Sequence, residues 1–295
     1  MTLGELNRKM ARKLEKEGIP DGVFVSRTLL LSVTNLSLEE WIWKSQDEAK
    51  EETVLAIEHL ISRRISGEPL QYLVGEWDFY GEKFRIGPGV LIPREDTEVL
   101  IEAIQSDFPQ NSALKIGDLC SGSGVIGLTL AREFPQSTVY LLEKSQEAMS
   151  YLLENQALHG NVEKRTNALL FDVLDEEQIS QTFLLNSLDI IVSNPPYLTI
   201  SDMETLQKEV AYEPEMALYG GEDGLHFYRR ITSLWSDILA AGGSLYYEVG
   251  IYQAKPVMAI LEAAGFEEIA SFSDFQGIDR VIRGKKSCIE KMDTV

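Results

Sequence analysis

The sequence predicts an α/β fold: a doubly wound parallel sheet preceded by a small all-α N-terminal domain and a linking β-hairpin. Three observations carry this. Helix-period apolar residues mark the first domain, a stretch of aromatic, β-branched and turn residues follows, and from about Asp96 apolar strand-like runs alternate with helical stretches. Such alternation is what β-α-β crossovers produce, and crossovers make sheets parallel.

Leu3, Leu6, Met10 and Leu14 are spaced three and four apart, so they line one helical face, and the run stops at Gly18-Ile19-Pro20. Val54, Ile57 and Ile61 repeat the spacing behind the acid-rich run Asp47–Glu52, which suits the positive end of a helix dipole. Residues 1–73 are therefore read as a small helical domain. Residues 74–95 form the hairpin linker, because WDFYGEKFRIGPGVLIP has a turn at Tyr80-Gly81-Glu82 between two short alternating runs. The main domain is 96–295. Its strands are expected at Ala113–Leu119, Val139–Glu143, Leu188–Ser193 and Ser244–Val249, with helices around 124–133, 145–158, 224–240 and 253–264.

With 44% hydrophobic and 25% charged residues among 295, the chain can bury a substantial core. Its formal net charge is −20; residues 1–75 hold ten basic and twelve acidic residues, so −18 belongs to the remainder. That excess opposes the phosphate contacts on which nucleic-acid binding depends, so no direct nucleic-acid partner is expected. Cys120 and Cys288 have no neighbouring Cys or His, which suggests neither a disulfide framework nor a metal site. No segment reaches the roughly 18 apolar residues of a membrane span, and the N-terminus lacks the apolar stretch of an export signal. A cytoplasmic, soluble monomer is expected. His59, His159 and His226 are scattered and read as surface or packing residues.

Lys115–Gly127 reads as a strand, a glycine turn and a helix start, with G-x-G-x-x-G at Gly122, Gly124 and Gly127. Glycines there let backbone N–H groups approach a ligand at a helix N-terminus. Glu143 ends the next strand 21 residues after Gly122, where nucleoside-binding folds place the acid that holds ribose hydroxyls. A nicotinamide dinucleotide and S-adenosyl-L-methionine both satisfy that spacing. Asp118 favours the second: a carboxylate just before the loop opposes a pyrophosphate but attracts an ammonium group. A −20 chain likewise favours a cationic ligand.

After the strand Leu188–Ser193 comes Asn194-Pro195-Pro196-Tyr197, at the sheet edge where open α/β folds bind ligands. The prolines fix φ, so the Pro195 carbonyl is a rigid acceptor. An amide or exocyclic amine is a poor nucleophile because its lone pair is delocalised. If Asn194 and the Pro195 carbonyl bind its two N–H groups, the lone pair can turn toward an electrophile, with Tyr197 stacked on the planar group. DNA adenine N6 methylation or another amino methylation would use the same motif, and a non-catalytic binding module is a third possibility.

These motifs resemble those of the peptide-chain release-factor glutamine methyltransferases (PrmC/HemK), within the class I, Rossmann-like S-adenosylmethionine-dependent methyltransferases. The resemblance spans nearly the whole chain: residues 67–98 with the I-P-R loop, DLCSGSG at 118–124, Glu143 in LLEKS, NPPY at 194–197, EPEMALYGGEDGL from Glu213, YYEVG from Tyr246 and DFQGIDRV from Asp274. It implies methyl transfer to the side-chain amide nitrogen (N5) of the glutamine in the Gly-Gly-Gln tripeptide of class I release factors. It also implies that S-adenosyl-L-methionine is held by Asp118, Cys120, Ser121, Gly122, Ser123, Gly124, Glu143, Asp172, Val173 and Asn194. The glutamine would meet Asn194, Pro195, Pro196 and Tyr197, with Arg94 on the substrate side. The alternative for Arg94 is an ion pair with Glu98 that has no direct role, in the I-P-R loop where Glu95 stands in the usual place of a proline. A basic translation factor as partner would give the acidic surface a steering role.

Overall fold

In the computed structural model, residues 1–288 are described, and they divide into two compact units. The first comprises Met1–Trp77, Ile86–Pro88 and Leu206–Tyr212; the second comprises Asp78–Arg85, Gly89–Thr205 and the chain from Glu213 on. The expected main domain's last residues, 289–295, lie outside the described residues.

The first unit holds α1 (Leu3–Lys16), α2 (Gly22–Thr34), α3 (Leu38–Lys44), α4 (Glu51–Ile65) and α5 (Leu70–Val74). A capping box starts α1, with Thr2 accepting the Glu5 N–H and Glu5 accepting the Thr2 N–H. Leu6, Met10 and Leu14 on α1 pack with Leu29 and Leu30 of α2 and Ile57 and Ile61 of α4, all essentially inaccessible to solvent. The periodic positions read from the sequence are this core. Helix α2 has no comparable stripe, because its apolar residues fall in blocks, Val23-Phe24-Val25 and Leu29-Leu30-Leu31, rather than three and four apart. The segment 206–212 joins this unit through Glu209, which pairs with the buried Arg64, and through Tyr212, whose hydroxyl donates to the Ser66 carbonyl at 3.3 Å.

The hairpin is formed by β1 (Glu76–Phe79) and β2 (Glu82–Arg85), turning at Tyr80 and Gly81, both with positive φ. Then follow α6 (Glu98–Asp107), β3 (Lys115–Leu119), α7 (Val125–Glu133), β4 (Thr138–Glu143), α8 (Gln146–Leu158), β5 (Thr166–Leu170), α9 (Glu176–Thr182) and β6 (Leu188–Ser193). After α10 (Ile200–Glu204) and α11 (Glu215–Leu218) come α12 (His226–Trp235), β7 (Leu239–Glu248), α13 (Ala254–Ala263), β8 (Phe266–Ser273) and β9 (Asp279–Lys286). The sheet order is β5-β4-β3-β6-β7-β9-β8. Strand β6 is buried along nearly its whole length, as a strand covered by helices on both faces must be.

Three expectations need correction. The sheet is mixed, since β9 runs antiparallel to both β7 and β8. The helix expected at 224–240 ends at Trp235, and β7 starts at Leu239, five residues before the expected Ser244. Gly242 and Gly243 read as a turn, yet the strand runs through them; a Cβ on Gly243 would lie 2.9 Å from the Asp189 carbonyl oxygen. Strands β5, β8 and β9 escaped the sequence reading because the edge strands β5 and β8 are only partly buried and β8 carries bulges, so their patterns are diluted. Among the described residues no helix is long and apolar enough to cross a membrane.

Candidate active site

The chain runs from β3 outward through β4 to β5, then returns to lay β6 on the other side of β3. That reversal opens a crevice beyond the carboxyl ends of β3 and β6, the standard position for a ligand in such sheets. Register sharpens this: Leu119 pairs with Leu142 on β4 and Ser193 on β6, and Ser193 pairs with Tyr247 on β7. The residues one step further, Cys120, Glu143, Asn194 and Glu248, therefore stand in one row along the sheet edge.

A cavity of about 1060 Å³ lies there. Cys120, Ser121, Gly122, Ser123, Glu143, Asp172, Val173, Asn194, Pro196 and Arg94 all line it, whereas Asp118, Gly124, Pro195 and Tyr197 do not. His226, read from the sequence as a surface or packing residue, is also in its wall.

The glycine loop turns by left-handed residues at alternate positions, Cys120 (φ 62°), Gly122 (φ 56°) and Gly124 (φ 84°). Gly122 is there for its φ, as a Cβ would have nothing closer than 3.9 Å. Gly127 is there for space: a Cβ would lie 2.1 Å from Leu141 Cδ2 and 2.8 Å from Asp118 Oδ2.

Asp118 is fully buried beneath the loop rather than facing the cavity. Its Oδ2 accepts the N–H of Gly127, the third residue of α7, at 2.9 Å, while Oδ1 has no hydrogen-bond partner. It is thus a helix-end acceptor supplied from the neighbouring strand. Burial pushes its carboxyl up to about 7, against the hydrogen bond from Gly127. Glu143 bridges two loops, taking the Gly122 N–H at 2.8 Å and the Ser145 N–H at 2.6 Å, and burial raises it too. Burial beside Glu143 pushes the Cys120 thiol up, so it is protonated at neutral pH. Asp172, also in the cavity wall, pairs with Lys144 at 2.7 Å. A buried carboxyl group in the cavity wall, Glu143, with a second, Asp118, beneath the glycine loop fits a cationic ligand such as S-adenosyl-L-methionine and disfavours a pyrophosphate.

The family model described as PrmC N-terminal domain matches residues 5–75, and that described as methyltransferase small domain matches residues 95–216. A release factor glutamine methyltransferase of Fusobacterium nucleatum is 36% identical over 288 residues, which is 96% of this chain and 78% of that protein. The chain belongs to the release factor glutamine methyltransferase family. Its relative from Thermodesulfovibrio yellowstonii is 38% identical over 83% of this chain and 86% of its own length. Among solved structures, the hMettl16 catalytic domain in complex with the MAT2A 3'UTR hairpin 6 has a TM-score of 0.56 at 14% identity, covering 82% of this chain and 84% of that one. At that identity the likeness concerns the Rossmann-like methyltransferase fold alone.

The Asn194–Tyr197 segment differs from the sequence reading at Tyr197. The ring faces away from the cavity, into the hollow left by Gly250, where a Cβ would meet Tyr197 Cδ2 at 3.0 Å. The Tyr197 carbonyl accepts from Gln253 Nε2 at 3.0 Å, so the tyrosine anchors the motif from behind. Arg94 pairs with Glu213, not with Glu98, whose Oε1 accepts the Tyr80 N–H at 2.8 Å. The other oxygen of Glu213 takes the Ile92 N–H at 2.9 Å. Glu213 therefore joins the I-P-R loop to the 214–229 segment that forms the opposite cavity wall. The sequence signal was its place at the head of EPEMALYGGEDGL, but nothing local marks it as a tie across about 120 positions of chain.

Proposed function

We propose that this enzyme transfers a methyl group from S-adenosyl-L-methionine to the side-chain amide nitrogen of a release-factor glutamine, that of the Gly-Gly-Gln tripeptide in class I release factors. The observation that carries the reading is Asn194, held at the end of β6 in the wall of the same cavity as the glycine loop. Bound S-adenosyl-L-methionine supplies an electrophilic sulfonium methyl group.

The chain's own residues do the rest. Cys120–Gly124 offer backbone to the cofactor, Glu143 faces its ribose hydroxyls, and Asp172 and Val173 stand on its far side. Asn194 Oδ1 accepts one N–H of the glutamine amide, and the second is assigned to the backbone carbonyl of Pro195, which lies between the lining residues Asn194 and Pro196. This takes the nitrogen out of conjugation and aims its lone pair along the line of attack. Pro195 and Pro196 keep the acceptors from rotating away, and Tyr197 pins the motif through Gln253. After transfer, the surplus proton on nitrogen passes to water. No general base is required, because preorganised acceptors and proximity supply the rate. We assign release-factor recognition to the helical unit, whose exposed Ile42 and Trp43 offer apolar contact area.

The test is transfer of a labelled methyl group to a purified release factor and to the same factor with its Gly-Gly-Gln glutamine changed to alanine. Labelling of the first alone is expected. Equal labelling of both, or preferential labelling of duplex DNA, overturns the reading.

A further inference from the structure

Prolines fix φ in the Asn194–Tyr197 segment, but they leave ψ free and bring no N–H with which to tie the segment to its neighbours. The direction of the Pro195 carbonyl therefore depends on what holds the two ends. At one end Ser193 lies in β6, and its hydroxyl donates to the Leu119 carbonyl at 2.7 Å. Asn194 Nδ2 reaches Thr97 Oγ1 only at 3.5 Å, so its side chain adds little to that anchor. At the other end Leu198 donates its N–H to the Leu218 carbonyl and accepts the Gly220 N–H, both at 2.8 Å. The motif thus leans on the segment that walls the cavity, closely enough that a Cβ on Gly220 would lie 2.5 Å from Tyr197 Cα.

A single side chain joins these parts. Gln253 Nε2 donates to the Tyr197 carbonyl at 3.0 Å and to the Gly224 carbonyl at 3.3 Å, while Oε1 accepts the Gly250 N–H at 3.0 Å. The partners fix the polarity, since a backbone N–H can only donate and a carbonyl can only accept. Both amide protons are therefore used on carbonyls, one at the end of the acceptor motif and one just after Gly221-Glu222-Asp223 in the cavity wall. Gln253 stands where α13 begins, yet its side chain makes no capping bond to that helix. The turn that delivers it holds Tyr252 in the left-handed region (φ 70°) with its ring 94% exposed, so the strained residue itself packs on almost nothing. Local preference is broken twice at one turn, and what the turn builds is the Gln253 junction.

We propose that Gln253 is a positioning residue: its two N–H groups lock the Tyr197 end of the acceptor motif to the cavity-wall loop, and so set the angle at which Asn194 and the Pro195 carbonyl meet the glutamine amide. The proposal rests on the glutamine-methylation reading above. Gln253 does not itself line the cavity, so its effect on turnover passes through the groups it holds.

The experiment measures kcat for release-factor methylation, and S-adenosyl-L-methionine affinity by calorimetry, for wild type, Gln253→Glu and Gln253→Met. Gln253→Glu keeps an acceptor for the Gly250 N–H but turns a charged oxygen on the two carbonyls. Gln253→Met has similar length and removes all three bonds without that repulsion. With the two N–H groups in a positioning role, kcat should fall about 100-fold in Gln253→Glu and about 10-fold in Gln253→Met, with cofactor affinity within about threefold of wild type in both. A role confined to the turn gives the reverse order, because Gln253→Glu preserves the Gly250 bond. Gln253→Glu more active than Gln253→Met therefore overturns the proposal, as does kcat within about threefold of wild type for either. So does a loss of cofactor affinity as large as the loss of kcat. If Gln253→Glu does not fold, Gly224→Ala decides together with Gln253→Met. Its Cβ would fall 2.6 Å from Gln253 Nε2 and against the Tyr197 carbonyl, at a φ of 69°, so it opens the same junction. The double variant should then be no slower than the slower single one, and losses that multiply overturn the proposal. Wild-type protein that labels no release-factor glutamine overturns the functional reading instead.

Discussion

Replacing Asp118 with asparagine should make the cofactor-free protein less sensitive to rising pH. The carboxyl is pushed from 3.8 to about 7, chiefly by burial, with Glu143 adding to it. Below pH 4 both folded and unfolded chains carry the proton. Between about pH 4 and pH 7 the folded state keeps a proton that the unfolded state has lost, so stability falls as pH rises through that window and levels off above it. From pH 5 to pH 8 the group loses two of its roughly three units, which at 1.36 kcal/mol per unit is about 3 kcal/mol. The asparagine keeps an oxygen for the Gly127 N–H and does not titrate. It buries an NH2 where Oδ1 now lacks a partner, a pH-independent cost of about 1–3 kcal/mol. The stability difference between variant and wild type should therefore swing by about 3 kcal/mol toward the variant between pH 5 and pH 8. Urea unfolding followed through the fully buried Trp235 reads this unit directly. Glu248 also titrates near 7, but it is common to both proteins and cancels. A swing below about 1 kcal/mol, or one toward wild type, would mean that the Asp118 charge is compensated and the account of the carboxyl beneath the loop is wrong.

Gly127→Ala should destabilise by roughly 1–3 kcal/mol in the same assay, because the new Cβ must displace Leu141 and Asp118; unchanged stability would show that α7 can shift freely. Glu213→Ala leaves Arg94 without its partner and the Ile92 N–H unsatisfied, so a loss of about 2–3 kcal/mol and weaker release-factor binding are expected, measurable by unfolding and by KM. Asn194→Ala should cut turnover by about 100-fold or more while cofactor affinity by calorimetry changes little; a large loss of affinity would make Asn194 chiefly a cofactor contact. Methylation rate should fall as salt rises from roughly 0.05 to 0.5 M if the acidic surface steers a basic release factor, and a flat profile would remove that role.

Much of the molecule was determined by sequence alone, and for a common reason: local periodicity and motif spacing. Leu6, Met10 and Leu14 share a face because a helix turns every 3.6 residues, whatever the rest of the chain does. The glycine loop, Glu143 and the Asn194-Pro195-Pro196 motif are legible because each needs a particular residue type at a strand end. Which side chains face the cavity was decided only in three dimensions. Asp118 lies two register steps inside the edge row, so it caps α7 from below and does not line the cavity. Tyr197 turns inward because Gly250, more than 50 residues later, leaves room for it. Gln253 and Glu213 meet Tyr197 and Arg94 only because β6 and β7 are neighbours and the segments before α6 and α11 close over their ends. Such pairings depend on strand order, and strand order is set by how the whole sheet packs rather than by any local pattern in the chain.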